Sequence, residues 1–152
     1  MTVNGGKATI AKLQAMKGRT KRVDPAWREV GSHISKQIKN QFRTRGATFG
    51  TPWKPLAPST VLEKKRKGYP RQPLVRTGKM KRLVTGRPLE VERYAGQVAT
   101  FGTKSKIALF QHGGTKRNGK RHIPARPIMK MTPKLRREIR DILKKHVLRG
   151  ER

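Results

Sequence analysis

Glu90 and Glu92 stand two residues apart in the alternating stretch Leu89-Glu90-Val91-Glu92-Arg93 and so project from one side of a strand. Paired carboxylates of that kind are what general acid and base chemistry requires. Neither a histidine nor a glycine-rich substrate loop accompanies them, so a structural role on the strand is the better reading. Of the other acidic residues, Asp24 suits a helix start, and Glu29, Glu138 and Asp141 fall among cations on stretches of helical spacing. His33, His112, His122 and His146 form no i, i+2 or i, i+4 pair, and no cysteine can complete a site, so zinc is not expected. His112 reads as a hydrogen-bonding residue of a loop. The chain has no G-x-x-x-x-G-K-[ST] phosphate loop, no G-x-S-x-G elbow and no G-x-G-x-x-G. These absences predict a non-enzyme with no cofactor.

The chemistry that remains is cationic. The formal net charge is +31 and the isoelectric point about 11.9, which points to a polyanion: nucleic acid, an anionic surface or an acidic protein. One display is in Ile107 to Thr132, where an apolar start and the pair Gly113-Gly114 lead into a segment carrying Lys116, Arg117, Lys120 and Arg121. We expect Thr115 to Arg121 to be a solvated loop able to meet DNA or an acidic partner. A second run, Lys64, Lys65, Arg66 and Lys67, reads first as a solvated helix face and second as a phosphate contact. The exit from the loop, Ile123-Pro124-Ala125-Arg126-Pro127-Ile128, carries two prolines three apart, which fix φ and favour an extended strap. Arg126 within it is expected to hold a carboxylate or carbonyl, in its own domain or across a subunit boundary, in preference to DNA.

Helices at either end must support this segment. Residues 1–23 carry six cations and no acid and read as a basic arm; residues 24–150 read as one domain. Asp24-Pro25 predicts a helix with Asp24 as its cap, with Trp27, Val30, Ile34, Ile38 and Phe42 on one apolar face and Gly46 past its end. The face reads as core, with base stacking by Trp27 the weaker option. Proline and glycine between Arg45 and Pro58 predict a loop pinned by Trp53 and Leu56. Ser59-Thr60 and Thr77 are expected to cap short helices, the second running to Leu83. Leu89 to Arg93 and Gln97 to Phe101 predict an antiparallel pair turning at Tyr94-Ala95-Gly96. Ile107 to Gln111 suits a strand or a helical turn equally. Thr132-Pro133 opens a last helix with Leu135, Ile139, Ile142, Leu143 and Val147 on one stripe and Gly150 beyond it. The sum is an α+β domain with an N-terminal amphipathic helix, a small antiparallel sheet with loops and short helices, and a C-terminal amphipathic helix. No apolar run approaches the length of a membrane span or a leader, and the lack of cysteine points to a reducing compartment.

From Phe42 to Thr132 the motifs occur in an order that resembles the phage virion morphogenesis family, the tail completion proteins of Mu-like and related tailed bacteriophages and prophages. The resemblance is carried by Phe42 with Gly46, Gly50 and Trp53-Lys54-Pro55-Leu56, then Ser59-Thr60 with a basic helix; by Pro73-Leu74-Val75 with Thr77-Gly78; by Gly102-Thr103 and Ala108 to Gly113; and by Ile123-Pro124-Ala125-Arg126-Pro127. Met80, Ile107 and Ile128 stand where the family more often has leucine, tyrosine and an aromatic residue, and each keeps an apolar group. The resemblance implies a structural protein without catalysis. It would act at the end of tail assembly and in head-tail joining at the neck, as a ring oligomer, a hexamer among the options, around the DNA channel. Its partners would be itself, neighbouring neck or tail-tube proteins and, non-specifically, the phage genome, with no membrane involved. It would reside in the virion, and in the host cytoplasm during assembly. Trp53, Thr77, Gly78, Gln111, Gly113, Pro124, Arg126 and Pro127 are the structural or interface positions it marks. The reading from charge alone is a general nucleic-acid-binding protein of ribosomal or chromatin type. Against it, Lys116 to Arg121 holds no aromatic ring on which a base could stack.

Overall fold

The computed structural model of the chain describes residues 6–149. Residues 1–5 of the basic arm and Gly150 lie outside the described residues. Six helices and two antiparallel hairpins follow one another as α1 (Gly6–Lys21), α2 (Asp24–Arg43), α3 (Pro58–Arg66), α4 (Lys79–Thr85), β1 (Val91–Ala95), β2 (Val98–Gly102), α5 (Lys106–Gly113), β3 (Thr115–Arg117), β4 (Lys120–Ile123) and α6 (Pro133–Arg149). The class is α+β.

Helix α2 is the spine because its stripe works as its spacing predicts. Val30, Ile34, Ile38 and Phe42 are all buried, each contributing about 1.5–3 kcal/mol of apolar burial, while Trp27 packs at the edge of the core. The edge of the Phe42 ring meets Trp53 with centroids 5.2 Å apart, which fixes the loop after α2 onto the core. At Gly46 φ is +100°, and a Cβ there would lie 2.5 Å from the Trp53 amide nitrogen, so the turn out of α2 demands glycine. Helix α6 crosses α2 and is tied to it by His33 Nε2 and Glu138 Oε2 at 2.9 Å. Its start is as read: Thr132 Oγ1 accepts from the Leu135 amide at 3.1 Å.

Several local readings need correction. The arm is a helix, α1, joined to α6 where Arg19 Nε donates to the Val147 carbonyl at 2.8 Å. Asp24 is the first helical residue and not the cap; Val23 takes the cap position without a side-chain bond. Helix α3 starts at Pro58 and α4 after Gly78, at φ +78°, so neither Ser59-Thr60 nor Thr77 caps by its hydroxyl. In each case proline or glycine sets the entry backbone angle and the hydroxyl is not needed. The first hairpin pairs Ala95 with Val98, placing its turn at Gly96-Gln97, later than expected. Ile107 to Gln111 resolves as helix because the Ser105 side chain accepts from the Ala108 amide at 3.3 Å.

The segment from Thr115 to Arg121 is also not a loop. It forms the second hairpin, turning at Asn118 (φ +49°) and Gly119 (φ +73°). Asn-Gly flanked by short strands is the strongest local hairpin signal a sequence carries, and here the charge around it obscured it.

Glu92 anchors the approach to β1. One of its oxygens accepts from the Arg87 guanidinium and the Leu89 amide, both at 2.8 Å, and the other accepts from the Tyr94 hydroxyl. Burial pushes the carboxyl up, but the Tyr94 hydroxyl, the Leu89 amide and Arg87 together outweigh it and hold the group below the usual range. A carboxyl depressed in the folded state binds fewer protons there than in the unfolded chain. Its stabilisation is therefore complete above the unfolded value and is lost as pH falls through the folded one. We expect Glu92→Gln to cost about 2 kcal/mol at pH 7 and to melt with a shallower fall on acidification than wild type; parallel melting curves down to pH 3 would refute the assignment.

Candidate functional site

The prolines keep the strap extended beyond Ile123, the last residue of β4, so its backbone groups need partners outside the ladder. Three of them are fixed. The Arg126 amide donates to the Gln111 carbonyl at 2.8 Å, and the Ile128 amide to His112 Nδ1 at 3.3 Å. The Pro127 carbonyl accepts from both Trp53 Nε1, at 2.9 Å, and Gln41 Nε2, at 3.0 Å. Gln41 also accepts from the Phe49 amide at 3.2 Å, bridging α2, the following loop and the strap. The Arg126 side chain is 6% exposed; its Nε and Nη2 donate to the Lys54 and Pro55 carbonyls, both at 3.0 Å. Burial pushes its pKa down from the ordinary arginine value. Gly114 lies under the strap at φ +74°, where a Cβ would come within 2.7 Å of the Ile123 carbonyl oxygen. Trp53-Lys54-Pro55, Gln111 to Gly114 and Ile123 to Ile128 are thus one packed unit.

A second fixed unit stands beside it. Lys64 is 8% exposed, and its Nζ donates to the carbonyls of Pro70, Gln72 and Val75 at 3.0, 2.8 and 2.5 Å. Those bonds hold both sides of Leu74, which sits at φ +61°, a costly conformation for leucine. Gln72 in turn donates to the Phe42 carbonyl. Burial first, and then the charges of Arg76 and Arg126, push the Lys64 pKa down. Between the two units runs an open groove of about 1050 Å³.

The order of these motifs has a counterpart among known families: the profile of the phage virion morphogenesis family matches residues 5–148, nearly the whole chain. The chain belongs to that family. No curated protein and no solved structure gives a significant match.

In this virion morphogenesis protein, Trp53, Gln111, Pro124, Arg126 and Pro127 come together at the strap, and Gly113 closes α5 beside it. Thr77 and Gly78 line the groove with Gln111, Pro124 and Arg126. Lys65 and Arg66 are exposed on α3, and Lys67, exposed just past its end, pairs with Glu63 at 2.9 Å. Lys64 departs from the expected solvated run, since its ammonium is turned inward and spent on three carbonyls. Lys116 and Arg117 are exposed on β3, while the side chains of Lys120 and Arg121 lie outside the described residues.

Sequence reasoning missed Gln41 and Lys64. Gln41 follows Ile34 by seven residues and Ile38 by three, so it lies on the buried stripe. Lys64 follows Thr60 and Val61, both partly buried, by four and three. Helical spacing marked each as inward-facing, and polarity masked it. Among the described residues no group of His, Asp or Glu could hold a metal, and no helix is long and apolar enough to cross a membrane.

Proposed function

We propose that the protein completes the tail and joins it to the head, working as a closed ring through which DNA passes. The observation that carries this is α1: none of its residues is buried, and Ile10 and Leu13 are more than half exposed. Its contact with α6 leaves Ile10 and Leu13 uncovered, and a helix this exposed is marginal unless something more packs on it. A pocket of about 210 Å³ reaches the core between α2, β2 and α5, lined by Ile38, Leu89, Phe101, Ala108 and Leu109 among others and, among the described residues, by no lysine or arginine. It offers a second copy's α1 a seat free of charge repulsion. Arm-into-pocket contact is heterologous, and repeated around an axis it closes a ring.

The basic hairpin supplies the DNA-facing part. Its register sets Lys116 opposite Arg121 and Arg117 opposite Lys120, like charges that oppose the pairing until an anion lies along them. Ring formation by electron microscopy at moderate salt, together with restoration of tail-deficient lysates, tests the reading. Ile10→Asp with Leu13→Asp should keep the melting curve and abolish rings. Substituting Lys116, Arg117, Lys120 and Arg121 together should keep rings and impair joining. Normal rings in the first variant, or normal infectivity in the second, would count against the arm and the channel respectively.

A further inference from the structure

The groove beside the strap differs in chemistry from the uncharged pocket under α5. Its apolar surface comes from Leu56, Val75, Met80 and Ile107, the last 64% exposed. Lys54, Arg76, Lys79, Lys104 and Lys106 also line it. Its one acid, Glu90, is already engaged by the Thr103 hydroxyl and the Lys104 amide. A second basic arm would be repelled here. Nucleic acid fits poorly too, because no Trp, Tyr or Phe among the described residues lines the groove to stack a base. Both walls are held rigid, by Arg126 on one side and Lys64 on the other.

We propose that the groove binds an extended acidic segment of another virion protein, whose apolar side chains enter it while its carboxylates meet the rim lysines. The origin of the segment rests on the assembly reading; the recognition chemistry does not. Extended peptides are commonly captured by seating alternate side chains in pockets, and a pre-shaped wall reduces the ordering cost of binding.

Fluorescence anisotropy with three labelled probes tests it on the purified full chain: a peptide alternating leucine with aspartate, the same peptide with serine for leucine, and a thymidine strand of equal charge. Wild type should bind the leucine peptide at least about tenfold tighter than either other probe. Lys79→Glu with Lys106→Glu should weaken that binding about tenfold, whereas Lys36→Glu with Lys144→Glu, an equal charge change away from the groove, should weaken it less than about threefold. Equal losses in the two double variants, or a thymidine strand that binds as tightly as the leucine peptide, would overturn the proposal. Because no virion component enters the assay, a failed titration with intact ring formation sinks the groove alone. Absent rings with a successful titration sink the ring alone.

Discussion

Lys64→Met should lower the stability of the protein by about 4 kcal/mol, the largest loss expected of any lysine in the chain. The substitution keeps most of the stem and removes the ammonium, so the Pro70, Gln72 and Val75 carbonyls lose their shared donor at once. A buried acceptor left unpaired costs about 1–3 kcal/mol, and water entering the opened segment recovers part of three such losses. The neighbouring Lys65→Met, on an exposed side chain, should stay within about 0.5 kcal/mol of wild type. Urea unfolding of the pair reads the difference. A Lys64→Met midpoint no lower than that of Lys65→Met would mean that the inward ammonium does not hold the segment.

Arg126→Met should cost about 3 kcal/mol, because two charge-assisted bonds at 3.0 Å are lost in a buried setting. Arg126→Lys should recover less than half of that. An ammonium is a point donor, whereas the guanidinium presents Nε and Nη2 as a fixed fork to successive carbonyls. Thermal melts of the three proteins should rank wild type, lysine and methionine in that order, with the lysine variant also impaired in ring formation. If the lysine variant matched wild type in both, charge and not fork geometry would be what the strap needs.

The two substitutions also mark where sequence reasoning reached and where it stopped. The α2 and α6 stripes, the Thr132 cap and the first hairpin were legible because periodicity and capping are local properties. The strap was legible as rigid for the same reason, since proline acts on its own φ and on its predecessor. Whether Arg126 would meet a carbonyl, a carboxylate or a phosphate was not local, because Lys54 and Pro55 lie some seventy residues away and nothing between them encodes the approach. Lys64 was misread for a related reason. Its bonds go to backbone carbonyls, which every residue possesses and no composition reveals. The groove was invisible altogether, being the space between two clamps that each depend on such contacts.

The like-charged register of the second hairpin sets two responses to ionic strength against each other. Added salt would weaken the repulsion between like charges that this register sets opposite one another, and so favour the pairing. The same salt removes the counterion-release drive that would bring the hairpin to DNA. If the hairpin faces DNA as proposed, dilute conditions would favour its grip on the strand and concentrated ones its own pairing.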